Sequence, residues 1–162
     1  MNTKSELLRE ANQDFDIENE EFIPFMFRGY ETKYKISKYG NVLGVKGQKL
    51  KWFYHSTDYA GVGITIPKGS SDDGYVYANK AGKKTMKVNL HIHRYVALHF
   101  LPFPEHLPEG LKKDWEIISD ETKSIITDSL VVDHIDGNKW NPRWDNLQWL
   151  TPKENNRRKY EK

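Results

Sequence analysis

The spacing of apolar positions along the 162-residue chain changes several times, and each change marks an element. Between Phe22 and Phe53, short aromatic and β-branched pieces (YKIS, VLGV, LKWFY) alternate with turn signals (KYGN, GQ). That pattern predicts a small antiparallel sheet with tight turns at Gly40 and Gly47, and with Tyr34, Ile36, Val42 and Leu43 in its core. Residues 54–88 stay β-rich through GVGITI, YVYA and TMKVNL. YVYA and TMKVNL, separated by AGKK, read as a second hairpin, with Asp73-Gly74 and Gly82 in turns. At Asn89 the period lengthens: LHIHRYVALHF has helical spacing, which predicts a helix over about 89–101, capped by Asn89 and ended by Pro102 and Pro104.

The segment 102–129 carries three prolines (Pro102, Pro104, Pro108) and is long for a structureless connection in a compact domain. Its stretch Trp115 to Ile126 is therefore expected to pack as irregular or short β structure. Beyond it, LVV reads as a strand, IDGNK as a turn and NLQWL as a second strand. TPKENN then supplies Thr151 as N-cap, Pro152 at the first helical position and Glu154 three residues after the cap, a capping box that opens a helix over about 152–161. Trp140, Trp144 and Trp149 are expected to fill the small core of this strand, strand, helix unit. Residues 1–20 are polar and acidic, a short helix (SELLREA) or a frayed arm. The predicted class is α+β: an acidic arm at 1–20, a β-rich module at 21–88, and a helix, connecting segment and C-terminal finger at 89–162.

Composition removes several alternatives. Cysteine is absent, so neither disulfides nor a cysteine-based zinc knuckle hold the fold. No apolar run approaches the roughly 20 residues that cross a bilayer, and the N-terminus lacks a signal-peptide stretch, so no membrane role and a cytoplasmic location are expected. The net charge of +2 conceals an uneven distribution. Residues 1–25 hold seven acidic side chains against Lys4 and Arg9, whereas residues 28–53 hold seven basic ones against Glu31. Lys80, Lys83, Lys84, Lys87 and Arg94 follow without an acid among them, and Arg157, Arg158 and Lys159 repeat the bias near the end. Such blocks suit a polyanion, and they equally suit solvated surface, so charge alone does not decide.

The candidate chemistry lies between Asp133 and Asn155. Asp133 and His134 end the first finger strand, and Asn155 opens the last helix. A helix folded back on the strands lets a carboxylate and an amide oxygen converge on one hard cation, a donor set suited to Mg²⁺ rather than zinc. A histidine beside it can take a proton from water, and phosphodiester cleavage needs those two parts. Taken alone, the same three residues are explained as well by a solvated carboxylate, a packed imidazole and a surface amide.

VVDHIDGNKWNPRWDNLQWLTPKENN resembles the ββα-metal finger of HNH homing endonucleases from phages and introns. The resemblance implies that His134 is the general base, Asp133 a metal ligand and Asn155 the second protein ligand, with Asn146 holding the connecting loop. FRGYETKYKISKYGNVLGVKGQKLK is similar to the small module that often precedes this finger, although Phe22-Ile23-Pro24 stand where a tryptophan is common. IHRYVALHF is similar to the helix leading into the finger, which implies that His93 and Arg94 support the site or grip a phosphate; a packed histidine and a surface arginine explain them equally. Many relatives continue into a helix-turn-helix module, so here recognition is expected from residues 22–88 or from a partner.

The expected activity is hydrolysis of double-stranded DNA with Mg²⁺, or another divalent ion such as Mn²⁺, as a homing-type enzyme leaving a 5′ phosphate and a 3′ hydroxyl. Arg157, Arg158 and Lys159 are candidates to position the backbone, and Lys35, Lys38 and Lys46 are further ones. A monomer nicks and a symmetric homodimer cuts both strands; the sequence leaves this open. Two rivals stand beside this reading: a DNA-binding or packaging accessory protein that keeps the finger as scaffold, and a nonspecific or structure-selective nuclease.

Overall fold

A computed structural model describes residues 3–11, 19–70 and 84–161. After helix α1 (Lys4–Ala11), strands β1 (Phe22–Phe27), β2 (Tyr30–Ser37) and β3 (Val42–Leu43) form an antiparallel sheet in that order. Pro24 lies in β1, an edge strand, where its missing N–H removes nothing from the ladder. The expected turns are present: Gly40 and Gly47 have φ of +88° and +79°, and their N–H groups bond to Ser37 O and Gly44 O. Ile36 and Val42 are fully buried, while Tyr34 and Leu43 are only partly covered.

Strands β4 (Phe53–Tyr54), β5 (Ala60–Pro67) and β6 (Thr85–His91) make a second antiparallel sheet. GVGITI pairs with TMKVNL along their whole length, which sets Val62 opposite Leu90, Ile64 opposite Val88 and Ile66 opposite Met86. All six side chains face the core, as the two-residue period demands. The expected YVYA strand and the turns at Asp73-Gly74 and Gly82 lie outside the described residues.

Helix α2 runs from Ile92 to Phe100, not from Asn89. Asn89 belongs to β6, because pairing with β5 continues to His91 and holds those residues extended. Ile92, Val96 and Ala97 are buried, and α2 packs against β5 and β6 on one side and against β7 (Val131–His134) and β8 (Leu147–Leu150) on the other. The connecting segment corrects a second expectation. Residues 115–126 contain no strand; the segment carries helices α3 (Glu109–Lys112) and α4 (Asp120–Ser129). Ser119 caps α4 by accepting from the Thr122 N–H, and Asp120 and Glu121 fill its first turn, a start signal that the hydrophobic period alone does not reveal.

The antiparallel ribbon β7–β8 and helix α5 (Pro152–Glu161) form a ββα unit. The capping box is made as expected: the Thr151 N–H donates to Glu154 Oε2 at 2.9 Å and the Glu154 N–H to Thr151 Oγ1 at 3.2 Å. The tryptophans divide their roles. Trp149 is buried and donates its indole N–H to Leu101 O, Trp140 packs on Tyr54 and Trp52, and Trp144 is exposed rather than in the core. No helix among the described residues is long and apolar enough to cross a membrane.

His99 joins α2 to the first sheet. The Met26 N–H donates to its Nε2 at 2.9 Å, so the ring proton sits on Nδ1 and is given to Tyr95 O at 2.6 Å. Burial lowers the His99 pKa, and the bond to Tyr95 O only partly opposes this. The unfolded chain titrates near about 6.5, so the stability held by neutral His99 is complete above that pH and is lost as pH falls below it toward the folded pKa. The midpoint of thermal unfolding should therefore drop between pH 7 and pH 5, and drop less in His99→Gln; equal slopes in the two proteins contradict this assignment.

Candidate active site

Asp133 and His134 occupy the end of β7 because β8 pairs with it residue for residue, Asp133 opposite Gln148 and His134 opposite Leu147. Pairing places Gln148 beside Asp133, and its amide donates to Asp133 Oδ2 at 2.9 Å. The same oxygen receives Arg158 of α5 at 2.8 Å, while another guanidinium N–H of Arg158 donates to Ile135 O. Helix α5 is thus tied back onto the ribbon at the residue that carries the carboxylate. Asp133, His134 and Asn155 then line one cleft of about 190 Å³ together with Tyr59, Lys139, Arg158 and Lys159.

The loop between β7 and β8 is held by a dense set of amide bonds. Asn146 Oδ1 accepts from the Asp136 N–H, and its amide donates to Asp136 Oδ1 and to Asn141 O, both at 2.9 Å. Asp136 also accepts from the Asn138 N–H and the Asn141 side chain. Burial pushes the Asp136 pKa up, but those hydrogen bonds, with the neighbouring His134, outweigh it and leave the carboxyl below its ordinary value. Asn146 therefore sits where a loop-holding residue is needed, away from the cleft-lining set.

His134 is 5% exposed and lies against two rings, His93 at 4.7 Å and Tyr59 at 5.7 Å between centroids. His93 does not enter the cleft-lining set; it stacks on Tyr59 at 4.7 Å and continues through His91 to His55, so four of the chain's six histidines form one row. Burial, then the neighbouring His134, His91 and Arg94, lower the His93 pKa to about 3, so this ring is neutral at physiological pH. Burial and then His55 also lower that of His91.

The basic candidates scatter. Arg158 and Lys159 reach the cleft, whereas Arg157 pairs with Glu161 in solvent. Arg94 lines a separate groove with Arg28, Met26, Leu98, His99 and Asp128. Lys38 lies over the rings of Tyr39 and Trp144, Lys35 is exposed on β2, and Lys46 is exposed in the turn after β3. Reading the sequence missed Gln148, Lys139 and Tyr59. Gln148 was recoverable from strand pairing; Tyr59, far upstream, carries no local signal.

Among the described residues, no group of three or more His, Asp or Glu side chains gathers as a metal cage would. The donor set is instead one carboxylate and one amide oxygen in an open cleft, which fits a hard cation that keeps water and takes phosphate for its remaining positions. Among the described residues, the Gln148 and Arg158 contacts of Asp133 both fall on Oδ2.

Residues 91–157 match a family model described as HNH endonuclease. Over these residues the chain is similar to the HNH endonuclease family. It is 37% identical over 132 residues to DNA endonuclease I-HmuI of Bacillus phage SP01, a match that spans 79% of this chain and 52% of that protein. A solved structure of DNA binding and cleavage by the HNH homing endonuclease I-HmuI superposes with a TM-score of 0.52 at 30% identity, covering 87% of this chain and 58% of the other. The likeness to a homing endonuclease is the one expected from residues 131–156, and the α+β architecture ending in a ββα unit is the one expected from the periods along the whole chain. The chain spans little more than half the length of the relatives it matches.

Asn146→Ala removes three hydrogen bonds from the loop at once. Loss of about 1–3 kcal/mol of stability is expected, with faster amide exchange at Asp136 while the α2 amides stay protected. Unchanged exchange at Asp136 counts against a loop-holding role.

Proposed function

We propose that this protein is a divalent-cation-dependent endonuclease that hydrolyses phosphodiester bonds of double-stranded DNA, of the homing type. The observation that carries the reading is the convergence of Asp133, His134 and Asn155 on one cleft rimmed by Lys139, Arg158 and Lys159. Two elements from distant parts of the finger bring these residue types together, and a purely binding surface has no use for a histidine beside a carboxylate and an amide.

Asp133 and Asn155 would hold the cation, with Mg²⁺ the ion that best suits two oxygen ligands. When bound, such an ion supplies positive charge over the negative charge that develops on the phosphate and the departing 3′ oxygen. His134 takes a proton from the attacking water, whose oxygen bonds to phosphorus as the P–O3′ bond breaks; the phosphate stays on the 5′ side, and the departing 3′ oxygen takes a proton from solvent water to become a hydroxyl. Arg158 and Lys159 offer charge to the phosphate backbone next to the reacting bond, where they fix position rather than read bases. Arg157, Lys35, Lys38 and Lys46 lie away from the cleft and are assigned no part in the chemistry; the first sheet, which carries Lys35, and the turns beside it, which carry Lys38 and Lys46, are the candidate for additional DNA contact.

The test is cleavage of supercoiled plasmid and linear duplex by wild type and His134→Ala, each with Mg²⁺ or EDTA. Metal-dependent cutting that falls by about 10²–10⁴-fold in the variant is expected. Nicked against linear plasmid product reports whether one strand or both are cut, and so whether a monomer or a homodimer acts. Tight duplex binding with no hydrolysis of varied native DNA under Mg²⁺ or Mn²⁺ would leave an accessory DNA-binding protein as the reading.

A further inference from the structure

Tyr59 lies outside both the finger and the stretch 91–157 that the family model covers, yet its ring lies against His134. His134 belongs to a four-residue strand in a two-stranded ribbon, and the ring torsion of a histidine is intrinsically broad. Backbone pairing fixes where His134 starts and does not fix where its imidazole faces. Two rings lie against it, His93 at 4.7 Å and 48° and Tyr59 at 5.7 Å and 26°.

Tyr59 is itself held on several sides. Its ring stacks on His93 at 4.7 Å and 26°, and the Lys139 ammonium sits 4.6 Å from its centroid. Its carbonyl accepts from the His55 N–H at 2.8 Å. The preceding turn puts Thr57 and Asp58 at φ of +61° and +66°, a conformation that side chains other than glycine rarely adopt. The finger loop secures that turn: Lys139 donates to Thr57 O at 3.0 Å and the Trp140 indole N–H to Asp58 O at 3.1 Å. Backbone strain of this kind persists where surrounding contacts over-determine it, and it collects at functional sites. Among the described residues, His91, His93, His134 and Lys139 all meet Tyr59 at its ring.

We propose that Tyr59 is a positioning residue for His134, its ring face fixing the imidazole in the orientation it holds at the wall of the cleft. The proposal rests on reading His134 as the base. The nuclease finger is then incomplete without the β4–β5 turn, which supplies one wall of the ring's seat from outside the HNH segment.

Full-length Tyr59→Leu, Tyr59→Phe, His134→Ala and the double variant Tyr59→Leu/His134→Ala are compared in three measurements. These are single-turnover plasmid cleavage with Mg²⁺, duplex affinity in EDTA, and the NMR shifts of the His134 ring protons, identified by their loss in His134→Ala. Tyr59→Leu should slow cleavage by about tenfold to a hundredfold at unchanged affinity, the scale of a misoriented reacting group, and should move the His134 resonances. Tyr59→Phe should restore both rate and resonances, and Tyr59→Leu should cost nothing further once His134 is alanine. Wild-type cleavage with unmoved His134 signals in Tyr59→Leu overturns the proposal, as does a Tyr59→Phe variant as slow as Tyr59→Leu, or an equal loss in the His134→Ala background. If circular dichroism shows Tyr59→Leu unfolded, Tyr59→Met takes its place with the same criteria. A wild type that cuts no DNA defeats the reading of His134 as base, and the resonance shifts still decide whether Tyr59 orients that ring.

Discussion

Burial of one face of helix α2 between two sets of strands is the constraint on which the rest depends. Ile92, Val96 and Ala97 are sealed from solvent, and the same helix meets β5 and β6 upstream and β7 and β8 downstream. Burying an aliphatic side chain of that size is worth about 1.5–3 kcal/mol, and a unit as small as residues 130–161 cannot gather enough such contacts by itself. Without cysteine or a structural metal cage, the ribbon and its helix take their stability from a wall they share with the β-rich part. His93 projects from that wall one residue after Ile92, so the packing that holds the finger also sets the neighbour of His134.

Polar pegs around this apolar seam fix the angle at which the two parts meet. The Trp149 indole reaches Leu101 O, the Trp140 indole reaches Asp58 O, and the Trp144 backbone N–H bonds to Lys38 O. Gly40 shows how close the approach is: a Cβ there would stand 2.8 Å from Pro142 Cγ and 2.9 Å from Ile92 Cγ2. Its positive φ and its missing side chain are both needed, one for the turn and one for the contact. Cleft and upstream sheets thus form a single mechanical object, and a residue such as Tyr59 can serve a ring more than seventy positions away.

What could be seen in the sequence was what local chemistry writes there. The β6 alternation, the glycine turns at 40 and 47 and the Thr151–Glu154 capping box all have short-range causes and stand where they were expected. Asp133, His134 and Asn155 were legible as a group only through the resemblance, since a strand end and a helix start carry no mark of convergence. Helix α4 was obscured because its ten residues bury no side chain fully and so show no strong apolar stripe; its capping serine was the better guide. The start of α2 was misplaced because β6 pairing overrides a helical period that already begins at Leu90. Tyr59 and the histidine row had no signature at all, being products of tertiary contact between segments with unrelated patterns.

The Asp133 carboxylate is engaged from within the chain by Arg158 and Gln148. A buried negative charge left alone would work against the folded state, but here a guanidinium and an amide answer it from within the chain. Small metal-nucleated modules behave differently, because their ligand sets repel or scatter until the ion arrives. In this protein the fold around Asp133 is therefore held by the chain's own side chains, and a cation taken up there as proposed would enter a finished room.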